Sequence, residues 1–114
     1  MNDNCNYDGY ASSPYTIAVG AIDNYGRHSF YSEPCAALLV VAPSDGGSAG
    51  VSTTDAVIQG SSECTSEFGG TSSAAPLVAG VVALMLEANA RLSWRDVQLI
   101  LARSAVTINA DDGA

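Results

Sequence analysis

Apolar residues along the chain fall in unbroken runs rather than in alternation. "YTIAVGAI" (15–22) is rich in strand formers, entered through "SSP" and closed at "DNYG". "CAALLVVAP" (35–43) is a second run, stopped by Pro43. Continuous apolarity suits strands covered on both faces, as in a parallel α/β sheet. "SDGGSAG" (44–50) reads as a flexible loop and "VSTTDAVI" (51–58) as a weaker strand. The longest run follows "GGTSS" and predicts a helix over about 72–89. Its Leu77, Val78, Val81, Val82, Leu84, Met85 and Leu86 leave no polar stripe before Glu87. Such a helix belongs inside a protein, and Gly80 in its middle marks a close backbone contact. A second helix is expected over about 93–104. "SWRD" supplies Ser93 as N-cap with Asp96 three residues on, a carboxylate form of the capping box that also suits the helix dipole. Val97, Ile100, Leu101 and Ser104 share one face. The element order predicts a three-layer α/β/α arrangement with a mainly parallel sheet. Two helices and about three strands are too little to cover the apolar helix, which hints at part of a larger unit.

Composition narrows the function classes. At 114 residues the chain has the size of one domain, and neither a repeat nor a linker divides it. Apolar residues make up 47% and charged ones 14%, which excludes a disordered chain. A net charge of −8 with four Lys and Arg argues against nucleic acid and permits basic ligands or cations. The run 77–86 is about half a membrane span, so no membrane segment is expected. "NDNCNYDGY" after Met1 is not a basic-then-apolar leader, so no targeting signal is expected. Cys5, Cys35 and Cys64 match no short-spaced zinc pattern. They read either as three reduced thiols or as one disulfide plus an orphan whose partner lies outside the chain.

The chemistry centres on Thr71, Ser72 and Ser73, set at the mouth of the most apolar element. A hydroxyl there sits beside unpaired N–H groups and the positive end of the dipole. Those N–H groups can hold the oxyanion that forms when the hydroxyl attacks a carbonyl. Pro76 has no N–H and its ring crowds the carbonyl of Ser72, so the first turn should be irregular there. The plain alternative is a Ser or Thr that only caps a buried helix. No Lys follows the glycines as a phosphate-binding P-loop requires.

The full string weighs against a simple cap. "GTSSAAPLVAG" (70–80) resembles the nucleophile segment of subtilisin-like serine proteases. "DNCNYDGY" (3–10), "YSEPC" (31–35) and "LEANARLSWRDVQ" (86–98) resemble the kexin/furin branch, the proprotein convertases, and the fungal kexins most. The resemblance runs from Asn2 to about Ala110, with a divergent loop over 45–50. It implies that residues 1–114 are the C-terminal part of a subtilisin-like catalytic domain with no second domain. It also implies a parent serine endopeptidase that cuts proproteins after paired basic residues. Ser72 then matches the catalytic serine, with its own N–H as an oxyanion donor. Asp8 matches an acidic residue in the pocket for the substrate arginine, where a carboxylate would fix a guanidinium; its plain alternative is an Asx-turn in "YDGY". Asp3 and Glu33 match two carboxylates of a structural calcium site, and hard oxygen ligands are what calcium needs. Ser13 and Thr16 match a weaker second cation site, although Ala11 and Pro14 loosen that fit. Cys5 and Cys35 match a disulfide pair, and Cys64 a cysteine paired far upstream. The disulfide and the family place the parent in the secretory pathway, Golgi-bound or secreted.

Subtilisin-like enzymes run Asp, His, Ser along the chain. The one histidine here, His28, lies in "NYGRHSF", which does not resemble the catalytic histidine's motif, and it is expected on the surface. The resemblance puts the catalytic Asp and His, the oxyanion Asn and the other acidic wall of the arginine pocket before Met1. By itself the chain should be inactive, since a serine without its base is a weak nucleophile. The expected partners are basic peptide or proprotein substrates and the upstream part of the same domain. Phe68 departs from the family's usual His. The rival readings are an inactive, calcium-stabilised binding module of the same fold and an unrelated α/β domain.

Overall fold

A computed structural model describes residues 3–57 and 62–108. Two strands, β1 (Ala18–Ile22) and β2 (Leu38–Pro43), arise from the two apolar runs and pair in parallel. The connection over residues 23–37 is long enough for the crossover that parallel pairing requires. The 15–22 run is strand only from Ala18, because residues before it form turns around Ser13 and Thr16. Ala18 pairs with Leu38 and Ile22 with Pro43, with one register shift after Ala18. The outer edge of β1 is occupied too. The N–H of Ala21 donates to Ser32 Oγ at 3.0 Å and its carbonyl accepts Ser29 N–H at 3.2 Å.

The weaker strand is β3 (Val51–Thr54), and it pairs antiparallel with β4 (Cys64–Phe68). The sequence reading did not anticipate β4, whose polar "CTSEF" has a strand's backbone without a strand's apolar face. Ile58, the last residue of the expected strand, lies outside the described residues. Helix α1 (Thr71–Ala88) begins one residue before the expected start, and its N-cap is Gly70 rather than a hydroxyl residue. Helix α2 (Trp94–Ser104) opens as expected: Ser93 Oγ accepts Asp96 N–H, and Asp96 returns the bond to Ser93 N–H at 2.8 Å.

Both helices pack on the parallel pair. Among the described residues the buried apolar set is Ala21, Ala42, Ala74, Val78, Val97 and Leu101. That core is thin. Leu77, Val81 and Leu84 of α1 are 44%, 49% and 67% exposed. The helix read as interior therefore has only one side covered by this chain. By length and composition α1 would also suit a membrane span, but Ala74 and Val78 are packed on the sheet as in a core helix. Among the described residues nothing outside the helix's own turns comes within 4 Å of a Cβ placed at Gly80, so the close contact expected there is not made by them. The radius of gyration is 15.5 Å, whereas a self-contained domain of this length would have about 13 Å.

Cys5 and Cys35 form a disulfide with Cα atoms 5.5 Å apart, and Cys64 is exposed and free. The bond ties the N-terminal segment to the residues leading into β2. It closes a loop with a separation of 30 residues, for which chain entropy gives about 3–4 kcal/mol. Replacing both cysteines by serine should lower stability by about that amount in chemical denaturation, with Cys64→Ser as the near-neutral control.

Candidate functional site at the start of helix α1

The turn before α1 is built around one peptide. Gly70 has φ +77° and ψ 171°, a conformation that favours glycine whatever the space around it. Its N–H donates to Asp45 Oδ1 at 2.7 Å. Its carbonyl accepts the Ser44 hydroxyl at 2.7 Å and Ser73 N–H at 3.0 Å, with Ser73 Oγ 3.1 Å away.

Three adjacent hydroxyl residues then part company. Ser73 is buried, and its hydroxyl lies 2.6 Å from that of Ser44. Ser72 is exposed, and its hydroxyl makes no hydrogen bond among the described residues. Its N–H likewise has no partner among them, as the first turn of a helix allows. Pro76 lies inside α1 and removes the donor that the Ser72 carbonyl would otherwise meet. The irregularity expected from Pro76 stays local, because the helix runs unbroken from Thr71. A serine that merely capped α1 would accept a backbone N–H, and Ser72 does not.

A cleft of about 360 Å³ reaches this turn, with Thr71 on its rim and Tyr10, Ala11, Thr16, Gly20 and Glu33 among its walls. A side chain at Gly20 would crowd Val41 and Leu38, at 3.0 and 3.1 Å from its Cβ. Tyr10, Ala11 and Thr16 belong to a loop that is shaped locally, and Asp8 of that loop is not among the residues that line the cleft. Asp8 Oδ1 accepts the N–H groups of Tyr10 and Ala11, both at 2.8 Å. This is the Asx-turn that was the plain reading of Asp8. Asp8 is exposed, and its Oδ2 takes part in none of these bonds. Ser13 Oγ accepts Tyr15 N–H at 3.2 Å, and the Thr16 hydroxyl donates to the carbonyls of Tyr10 and Ser13. Both side chains expected at a second cation site are thus engaged in the loop's own turns. Helix α2 steadies that loop: Gln98 Nε2 lies 3.1 Å from Pro14 O and 3.3 Å from Thr16 O, and Tyr15 packs on Trp94.

Asp3 and Glu33 each lie two residues from a cysteine of the disulfide. Asp3 Oδ1 accepts Asn4 N–H at 2.8 Å. Among the described residues no group of three or more His, Cys, Asp or Glu side chains could hold a metal. His28 is exposed and bridges to Ile22 at the sheet edge.

The whole chain from residue 2 to 114 matches the model of the Subtilase family. The chain belongs to the subtilases. It is 50% identical to kexin of Candida albicans, over 99% of this chain and 12% of that protein. It is also 50% identical to mouse (Mus musculus) proprotein convertase subtilisin/kexin type 7, over 92% of the chain and 14% of that protein. A dibasic-processing endoprotease of Yarrowia lipolytica is 47% identical, over 96% of the chain and 12% of that protein. The subtilase chain thus spans only 12–14% of the length of these relatives.

Two residues around the subtilase turn escaped the sequence reading. Ser44 and Asp45 sit in the stretch taken as a flexible loop, yet they bond to Gly70, Ser73 and Tyr31. The sequence signal was slight, a Ser-Asp pair directly after a strand. The Tyr31 hydroxyl and Gly70 N–H hold the Asp45 carboxyl below the usual aspartate range, with burial opposing them. A carboxylate with a depressed pKa adds stability above its unfolded value and loses it as pH falls through its folded one. Wild type should therefore exceed Asp45→Asn in melting temperature by a constant margin above about pH 4. That margin should shrink on further acidification, as thermal melts between neutral and acid pH would show.

Proposed function

We infer that this subtilase chain carries the nucleophile of a kexin-like serine endopeptidase that cleaves proproteins after paired basic residues. The observation that carries this is the unequal fate of two adjacent hydroxyls. Ser73 is buried and bonded, whereas Ser72 is exposed, and neither its hydroxyl nor its N–H has a partner among the described residues. In the proposed reaction Ser72 Oγ attacks the substrate carbonyl and yields its proton to a histidine supplied elsewhere in the full-length protein. The Ser72 N–H helps to hold the oxyanion. The acyl-enzyme then reacts with water, which releases Ser72.

Asp8 is proposed to bind the substrate arginine. The Asx-turn uses Oδ1 and holds the side chain in one orientation, which leaves Oδ2 for a charge-assisted bond. Asp3 and Glu33 would contribute two carboxylates to a structural calcium ion near the disulfide. Calcium takes six to eight oxygens, so the rest of that site would come from other parts of the full-length protein. When bound, the ion would supply positive charge that fastens these segments together. Ser13 and Thr16 would serve a second cation through the lone pairs that these turns leave free on their hydroxyl oxygens. The incomplete cover of α1 supports a three-layer α/β/α domain in which upstream segments pack on its exposed face. A disulfide and kexin-like relatives support a place in the secretory pathway.

In the full-length protein, Ser72→Ala should cut dibasic-peptide cleavage by on the order of a million-fold, as loss of the nucleophile does in subtilisin. Ser73→Ala should retain the chemistry but lose about 1–3 kcal/mol of stability, because Ser44 loses a buried partner. Wild-type turnover by Ser72→Ala would overturn Ser72 as the nucleophile, whereas no turnover by the wild-type full-length protein would leave a binding module in its place. Calorimetry on the isolated 114-residue chain should find calcium binding no tighter than about 1 mM. Micromolar binding would mean that the site is complete within this chain.

A further inference from the structure

The geometry points to Asp45 as the residue that positions the nucleophile turn, an assignment that rests on Ser72 being the nucleophile. Asp45 lies 25 residues before Gly70, and the two meet through a 2.7 Å bond from the Gly70 N–H to Oδ1. The same oxygen accepts the Tyr31 hydroxyl and lies 3.2 Å from Ser44 Oγ. The Asp45 carbonyl accepts the Ser29 hydroxyl at 2.6 Å and lies 3.1 Å from the Tyr31 hydroxyl oxygen, so the backbone at 45 is held as well as the side chain.

A second observation shows that the carboxylate is fitted to this place. A Cβ at Gly69 would lie 2.1 Å from Asp45 Cγ and 2.3 Å from each carboxylate oxygen. Asp45 therefore fills the volume that a side chain at 69 would need. Gly69 and Asp45 form a complementary pair, with the side chain supplied from the loop after β2 instead of from the turn itself. The consequence reaches Ser72 through one peptide. With the Gly70 N–H held by Asp45 and its carbonyl by Ser44 and Ser73, the +77° backbone at Gly70 is fixed on both sides. That fixes the direction in which Ser72 leaves the helix. Asp45 touches neither Ser72 nor the cleft, so it is a positioning residue and not a catalytic one.

The test is made in the full-length protein, with amide exchange over residues 69–73 and steady-state kinetics on a dibasic peptide. Asp45→Ala should speed exchange at Gly70 at least about tenfold. It should also lower kcat by about 100-fold with KM nearly unchanged, the scale of a small misplacement of a reacting group. Asp45→Asn, which keeps an acceptor oxygen and fills the same space, should recover most of that loss. Gly69→Ala should behave like Asp45→Ala, because its methyl displaces the carboxylate. Combined with Asp45→Gly it should do no further harm, the non-additivity of a contacting pair. Unchanged exchange in Asp45→Ala, unchanged kcat in a folded Asp45→Ala, or additive losses in the double variant would overturn the proposal. Wild-type turnover by Ser72→Ala would overturn the nucleophile reading and the catalytic part of this one, and the exchange result would then decide the clamp alone.

Discussion

The site depends on how the Gly70 peptide is held. A residue at φ +77° with no side-chain cap could begin a helix in several directions, and three hydrogen-bonding side chains choose one. Ser44 follows directly on Pro43, the last residue of β2, so the carboxyl end of the strand is fastened to the amino end of α1. Open α/β sheets bind their ligands at that end of the strands. The cost of burying Ser44 and Ser73 is met by a relay in which Ser73 pairs with Ser44 and Ser44 donates to the Gly70 carbonyl. Among the described residues no buried side-chain N or O atom lacks a partner.

Against this well-satisfied polar cluster, the apolar part of the fold is sparse. Its buried members are alanine, valine and one leucine, and the leucines of α1 are exposed while Met85 is only partly covered. Apolar burial yields about 25 cal/mol per Å² removed from water, so an uncovered Leu84 or Val81 contributes little to the stability of this chain. The polar turn is complete within the chain while the apolar helix behind it is not. A chain that spans 12–14% of its relatives' length accounts for both. The turn uses neighbours from residues 29–73, and the helix needs cover from elsewhere.

How far the sequence could be read follows from the range of each interaction. The α2 cap was legible because Ser93 and Asp96 are three residues apart and satisfy each other. The parallel pair was legible because unbroken apolar runs leave few other choices. Strand β4 was not, since Cys64, Ser66 and Glu67 are exposed and give no periodic signal. The start of α1 was legible to within one residue, but its cap was not, because a glycine caps it through backbone shape alone. Ser72 was reached through its motif, and the structure adds that its hydroxyl is unbonded. Asp45 was missed because the partners of its side chain, Tyr31 and Gly70, lie 14 and 25 residues away. A sequence window that sees "SDGGSAG" sees only turn formers.

Helical geometry makes the division between the two serines necessary. Successive residues point about 100° apart, so Ser72 and Ser73 cannot both face the sheet. Ser73 shares the inward side with Ala74 and Val78, and a hydroxyl buried there must find partners or cost roughly 1–3 kcal/mol. Gly70 O and Ser44 Oγ are those partners. Once Ser73 has closed the turn from inside, nothing in the fold needs the Ser72 hydroxyl. A capping role would have spent it on a backbone N–H, and Gly70 makes that unnecessary by capping without a side chain. Pro76 works in the same direction, since it leaves the first turn without the donor that would tie down the Ser72 carbonyl. The hydroxyl is left at a helix amino end, in contact with solvent and beside an N–H that has no partner among the described residues.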